Sequence, residues 1–422
     1  VTRDDFQSGE AFALEMDARD PLSEYRGRFW IPQHAGSDCV YLCGHSLGLQ
    51  PRSARGYVER ELDDWAKLGV EGHFRAQHPW MPYHKLLREQ TAAIVGAGQS
   101  EVVVMNSLTV NLHLMMISFY RPTARRHKIL VERGAFPSDQ YAVKSQILYH
   151  GFDPSSCLIE VGPRPDELSV REEDMVSLIE RCGDELALIL LGGVNYATGQ
   201  AFDMKAITRA GHAQGCVVGF DLAHAAGNLK LSLHEWGPDF AVWCNYKYLN
   251  GGPGCVAGCF VHERQGREEL LRLAGWWGHE EESRFEMPAE FRPMKGAEGW
   301  QLSNPSIMSL SAVRAALDIF HAAGMDRLRA KSVALTGYLE FLLDSNPSGN
   351  FAIITPREKE RRGAQLSLRI REGGREVCSR LTERGILADW REPDILRVAP
   401  VPLYNSFRDV FRFARTFSQL TH

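Results

Sequence analysis

Asp221 and Lys247 stand in the runs VVGFDLAHAAGN and FAVWCNYKYLNGGPG, and an acid and an amine so placed could hold one ligand at two points. A carboxylate keeps a pyridine nitrogen protonated, while an amine condenses with an aldehyde. Pyridoxal phosphate (PLP) asks for that pair of groups. Val217, Val218, Gly219 and Phe220 read as a short buried strand with Asp221 at its C-terminal end, where open α/β sheets place ligand groups. Ala241, Val242 and Trp243 read as a second strand. Lys247 follows it, just before Gly251, Gly252, Pro253 and Gly254, a breaker cluster that demands a loop. Both side chains are therefore expected to project from strand ends into one crevice. Beside a cationic ring nitrogen a buried carboxylate stays ionised, because an opposite charge a few Å away lowers its pKa by roughly 1–3 units. Taken singly, an Asp after a strand caps a helix and a loop Lys is solvated; the pairing carries the reading.

The elements that must position these groups alternate. From about residue 100, strand signals recur at Val102–Met105, Ile129–Glu132, Ile159–Val161, Leu186–Leu191, Val217–Phe220 and Phe240–Trp243, with amphipathic stretches between several of them. That rhythm predicts an α/β fold with a mainly parallel sheet and crossover helices. A helical stretch over 306–323 leads away to strand-like Phe351–Ile354, Gln365–Ile370 and Ile395–Val398, which predict a smaller α+β domain. The expected division is a large domain over 60–310 and a small one built from 1–59 with 311–422.

The 422 residues carry a formal charge of -5 with no basic block, which favours small-molecule chemistry over nucleic-acid binding. No run approaches the ~18 apolar residues of a membrane span. The start VTRDDFQSGEAF is polar and acidic, unlike a secretory signal, so a cytoplasmic protein is expected. Nine cysteines without a C-x-x-C pair argue against a disulfide framework or a structural zinc site. His73, His78 and His84 lie close together, but HFRAQHPWMPYH is broken by prolines and matches no metal motif, so no metal is expected.

Further segments narrow the reading: YLCGHSLGLQP (41–51), NSLTVNLHLMMISFYRPT (106–123), GAFPSDQYA (134–142), FDLAHAAGN (220–228), NYKYLNGGPG (245–254), QLSNP (301–305) and RVAPVPLYNS (397–406). In these segments and their order, over nearly its whole length, the chain resembles the kynureninase family. The resemblance implies the aspartate aminotransferase fold of fold-type-I PLP enzymes and a homodimer with active sites at the subunit interface. It implies hydrolysis of the Cβ–Cγ bond of kynurenine or 3-hydroxykynurenine to alanine and anthranilate or 3-hydroxyanthranilate, a step of tryptophan catabolism that can feed NAD biosynthesis.

By the same resemblance Lys247 is the Schiff-base lysine, Asp221 the partner of the pyridine nitrogen, and His224 a neighbour of the cofactor. Tyr246 contacts the phosphate and could relay protons. Leu108 and Thr109 open a predicted helix over 107–119, whose free N–H groups suit the phosphate. Phe136 would stack on the ring, with Pro137, Ser138 and Asp139 completing that cofactor segment. Asp139 would face the polar edge of the cofactor; its alternative role is an ordinary helix N-cap. Trp276 and Asn304 correspond to residues reaching the site from the partner subunit. Arg397 corresponds to the clamp on the substrate α-carboxylate, for which a bidentate guanidinium is suited. Two positions depart from the pattern. His45 stands where the family commonly has Asn in CGNSLG, and Gly192 where some relatives carry a small hydroxyl residue that would touch the cofactor.

His73, Ser303 and Asn304 resemble the set in relatives that favour the 3-hydroxylated substrate. A ring hydroxyl gives these polar groups a partner, and a site built around such a bond disfavours the analogue lacking it. Alternatively, His73 is structural and Asn304 caps a helix. Two other functions stay open. A cysteine desulfurase-like enzyme would need a catalytic cysteine on a mobile loop, which nothing around Cys378 marks; a PLP-fold protein without activity would serve as a binding module.

Overall fold

Short apolar runs become the strands of one large sheet: β1 (Val102–Met105), β2 (Lys128–Glu132), β3 (Leu158–Val161), β4 (Leu186–Gly192), β5 (Val217–Asp221), β6 (Phe240–Trp243) and β7 (Ala257–Val261). The computed structural model describes residues 5–267 and 270–421, so residues 1–4 and 422 of the expected small domain lie outside the described residues. The strands lie in the order β1-β7-β6-β5-β4-β2-β3. Pairing from β6 through to β3 is parallel, while β7 runs antiparallel to both β1 and β6.

Alternate residues of each strand enter different cores. Val102, Val104, Leu130, Ile189 and Leu191 pack on one face of the sheet, and Val103, Met105, Ile129, Val131, Leu188 and Leu190 on the other. Burial on both faces explains why the strands read as continuous apolar runs rather than alternating ones. Helix α1 (Leu108–Phe119) follows β1 and α2 (Pro137–Tyr149) follows β2. Gly192 pairs with Asp221 and Asp221 with Val242, so the register brings the C-terminal ends of β4, β5 and β6 to one level.

A second sheet, all antiparallel, combines β8 (Phe351–Ile353), β9 (Leu366–Ile370), β10 (Asp389–Arg391) and β11 (Ile395–Val398) in the order β8-β9-β11-β10. Its core takes in Leu335, Leu339, Leu366, Leu368, Leu396, Phe413 and Phe417. The N-terminal segment is shared: Val40 and Leu42 join this core, whereas Leu22, Tyr25 and Phe29 join the core of the large sheet. Among the described residues no helix is long and apolar enough to cross a membrane.

Candidate active site

The C-terminal ends of β2, β4 and β5, with the loop after β6, enclose one cavity. Leu108 and Thr109 from the first turn of α1, Phe136, Ser138 and Asp139 from the start of α2, and Gly192, Asp221, His224, Tyr246 and Lys247 all line it. Pro137 sits at the first position of α2, where its missing N–H breaks no helical bond and its fixed φ suits the start of a helix. Asp139 is consequently inside the first turn, with Phe136 at the cap position; the expected alternative of an Asp139 N-cap is corrected by that earlier start.

The electrostatics of the cavity centre on two acids and one base. Asp221 Oδ1 accepts the Ala223 N–H at 2.7 Å. Asp139 lies beside it, and its Oδ1 is buried with no partner. Burial raises the Asp139 carboxyl well above its usual range, and the charge of Asp221 raises it further. Burial also raises Asp221, offset by the Ala223 N–H and by Lys247. In the protein alone Asp139 therefore holds the proton of the pair. The remaining buried negative charge on Asp221 suits a cation, and a protonated pyridine nitrogen is one.

Lys247 Nζ stands 3.1 Å from His224 Nε2. Burial, with the nearby charge of Lys247, holds His224 well below its usual range, so the neutral ring accepts at Nε2 from the lysine. The same ammonium lies 5.9 Å from the Phe136 ring centroid and 6.0 Å from that of Tyr246. Thr109 Oγ1 and Ser138 Oγ are 2.8 Å apart. Ser107 at the cap of α1 makes no side-chain capping bond, which leaves the first N–H groups of that helix for an anion. Phosphate at α1, ring nitrogen at the acids and aldehyde at Lys247 is the arrangement these residues fit.

Arg397, on β11, is 1% exposed. Its Nη1 donates to the Tyr196 carbonyl at 2.7 Å, and its Nη2 pairs with Asp389. Burial pushes its guanidinium down to about 10. Asp389 also lies 3.4 Å from Nε2 of His45. His45 is fully buried, with its ring centroid 6.4 Å from that of His224. His45 thus lies between the Arg397–Asp389 pair and the His224 ring.

A single chain does not bring Pro137, Arg397, His73, Trp276, Ser303 or Asn304 to the cavity walls, although Arg397 bonds the carbonyl of Tyr196, which does line it. His73 Nδ1 is 3.0 Å from the Val70 carbonyl and its ring packs edge-on to Trp80. Trp276 donates to the Arg284 carbonyl, and Ser303 and Asn304 are exposed. The cavity also contains residues that sequence reasoning passed over, chiefly Glu132 and Tyr196. Glu132 ends β2 and accepts a hydrogen bond from Asn195 Nδ2, and burial pushes its carboxyl up to about 7. The signal was available: a lone acid closes an apolar strand there, as Asp221 does. Tyr196 meets the Phe136 ring edge-on at 5.4 Å.

Away from the cavity, Glu101, His234 and His262 come within metal-ligating distance of one another. Their ligand atoms already bond each other or the N–H groups of Gly98, Glu263 and Arg264.

A family model described as Kynureninase C-terminal domain matches residues 328–417. The chain is 68% identical over 414 residues to the kynureninase of Koribacter versatilis (strain Ellin345), covering 98% of each. It is 59% identical over 413 residues to the kynureninase of Myxococcus xanthus (strain DK1622), covering 97% of each. Among solved structures it is similar to a cysteine desulfurase from Escherichia coli, with a TM-score of 0.77 at 17% identity, covering 94% of this chain and 98% of that one. It is also similar to a C-DES mutant with glycine covalently linked to its PLP cofactor, with a TM-score of 0.77 at 15% identity, covering 90% and 97%. These structural likenesses show a shared fold-type-I architecture.

Proposed function

Because the chain belongs to the kynureninase family, we propose that it hydrolyses the Cβ–Cγ bond of L-kynurenine and 3-hydroxy-L-kynurenine, releasing alanine with anthranilate or 3-hydroxyanthranilate. It is a carbon–carbon bond hydrolase with PLP as its cofactor. The observation that carries this reading is the convergence of Lys247, Asp221, Asp139 and His224 on one cavity. When bound, PLP supplies an aldehyde that captures the substrate amine and a ring that accepts the electrons released at Cα.

The chain's own groups divide the remaining work. Lys247 would hold the aldehyde and, when free, would take the Cα proton; His224 Nε2 stands 3.1 Å from its Nζ and orients it. Asp221, backed by Asp139, holds negative charge against the ring nitrogen. Burial raises the Tyr246 phenol, so it stays protonated at neutral pH and can donate a proton. Leu108, Thr109 and Ser138 would anchor the phosphate and Phe136 would cover the ring, while Arg397 would clamp the substrate carboxylate. Water enters at the γ-carbonyl, and its atoms leave in the two products.

The hydroxylated substrate is favoured, on the resemblance of His73, Ser303 and Asn304 to the set that bonds a ring hydroxyl. Those residues, with Trp276, serve the site of the neighbouring subunit in a homodimer; their position off the cavity of their own chain supports that arrangement. The enzyme acts in the cytoplasm, in tryptophan catabolism, and its hydroxylated product suits supply of NAD biosynthesis. Measuring kcat/KM for both kynurenines tests the preference: the hydroxylated substrate should give the higher value, and a clear advantage for unsubstituted kynurenine would overturn it.

A further inference from the structure

The loop over 195–200 runs between the two sheets and is held from both sides. On the large-sheet side, Glu132 Oε1 accepts from Asn195 Nδ2. Asn195 Oδ1 in turn accepts the N–H groups of Ala197 at 2.9 Å and Thr198 at 2.7 Å, which sets the shape of the loop. On the small-sheet side, the Tyr196 carbonyl accepts from Arg397 Nη1 at 2.7 Å and from Gln365 Nε2 at 3.0 Å. Ser367 Oγ donates to the Ala197 carbonyl at 2.6 Å. Arg397 is aimed by a backbone carbonyl whose place depends on Asn195, and Asn195 is held by Glu132.

Glu132 is 5% exposed, a burial at which a carboxylate is costly unless it is bonded. One oxygen bonds Asn195; the other fronts the cavity, and a Cβ added at Gly192 would stand 4.0 Å from it. A glycine at 192 leaves that oxygen unscreened. The acid therefore touches the cavity with one oxygen and, with the other, the loop whose Tyr196 carbonyl receives Arg397.

We propose that Glu132 is a positioning residue for the substrate α-carboxylate: through Asn195 and the Tyr196 carbonyl it fixes Arg397 in the orientation that receives the substrate. The inference rests on Arg397 being the carboxylate clamp, and the test separates the two claims. Glu132→Ala, Glu132→Gln and Arg397→Lys are compared with the wild type as full-length PLP-loaded enzymes, by kcat, KM and cofactor affinity from the visible absorbance of bound PLP. Loss of one positioning hydrogen bond, worth on the order of 1.4 kcal/mol, corresponds to about a tenfold rise in KM for Glu132→Ala. The value of kcat and the cofactor affinity should change little, and Gln, which still accepts from Asn195, should restore KM.

An unchanged KM in Glu132→Ala, while Arg397→Lys raises it, would overturn the positioning role alone. An unchanged KM in Arg397→Lys would overturn the clamp and the inference with it. Cofactor affinity falling in step with KM would make Glu132 a cofactor contact instead. If Glu132→Ala does not fold, Asn195→Ala interrupts the same link and carries the same expectation.

Discussion

Lys247→Ala removes the amine proposed to hold the cofactor and to take the Cα proton, and turnover should fall below detection; retained formation of alanine and anthranilate would sink the assignment. Asp221→Asn keeps the shape but removes charge from a water-poor site, so kcat should fall on the order of 10²–10³-fold. Steady-state rates with either kynurenine check both variants. Glu132 makes a different kind of prediction, about pH. Burial raises it from 4.5 to about 7, so the folded state holds its proton more tightly than the unfolded chain. Its contribution to stability is fully present below pH 4.5 and is lost as pH rises through 7. Thermal melts of the protein without cofactor should show Glu132→Gln losing that share of the decline between those two values, and an unchanged slope would contradict the account. At this scale the sequence made Asp221 and Lys247 legible, because a strand end and a glycine-rich loop flank them. Glu132 closes a strand in the same way, but its role depends on Asn195, 63 positions away along the chain. His45 was visible as a departure, while its contact with Asp389 required two distant segments to meet.

The strands that carry these residues tolerate little added volume. Gly219 in β5 pairs with Phe240 in β6, and a Cβ there would come within 2.2 Å of the Phe240 ring. Gly219→Ala should cost about 1–3 kcal/mol by overpacking and shift the strand that ends in Asp221. A lowered Tm with weaker PLP binding is expected, and a wild-type Tm would contradict the packing argument. The apolar runs of β1 to β6 were readable because both faces of the sheet are buried. β7 was not. Its sequence AGCFV holds Gly258, which has no side chain because the Trp243 ring occupies that space, a constraint from a neighbouring strand. β10 was missed for the opposite reason: Asp389, Trp390 and Arg391 are only partly buried and offer no apolar run. The start of α2 was displaced by Pro137, which puts Asp139 within the first turn.

The molecule as a whole leaves an apolar groove lined by Trp30, Leu47 and Leu62 on the surface of one chain, and each of these side chains is substantially exposed. Together with His73, Trp276, Ser303 and Asn304 standing off the cavity, this fits a site completed by a second copy. If so, mixing Lys247→Ala protein with a Trp276→Ala/Asn304→Ala variant should restore activity, because each hybrid dimer regains one intact site; no recovery after subunit exchange would contradict sharing. The two-sheet architecture was legible from the alternation of strands and helices, whereas the sharing of the N-terminal segment between both cores was not, since Val40 and Leu22 differ only in the partners they meet. The central claim is tested most directly by incubating the PLP-loaded protein with kynurenine or 3-hydroxykynurenine and quantifying the aromatic acid and alanine. Equal amounts of the two products are predicted from the wild type, formed faster from the hydroxylated substrate, and none from Lys247→Ala. Absence of the aromatic acid with both substrates would contradict it.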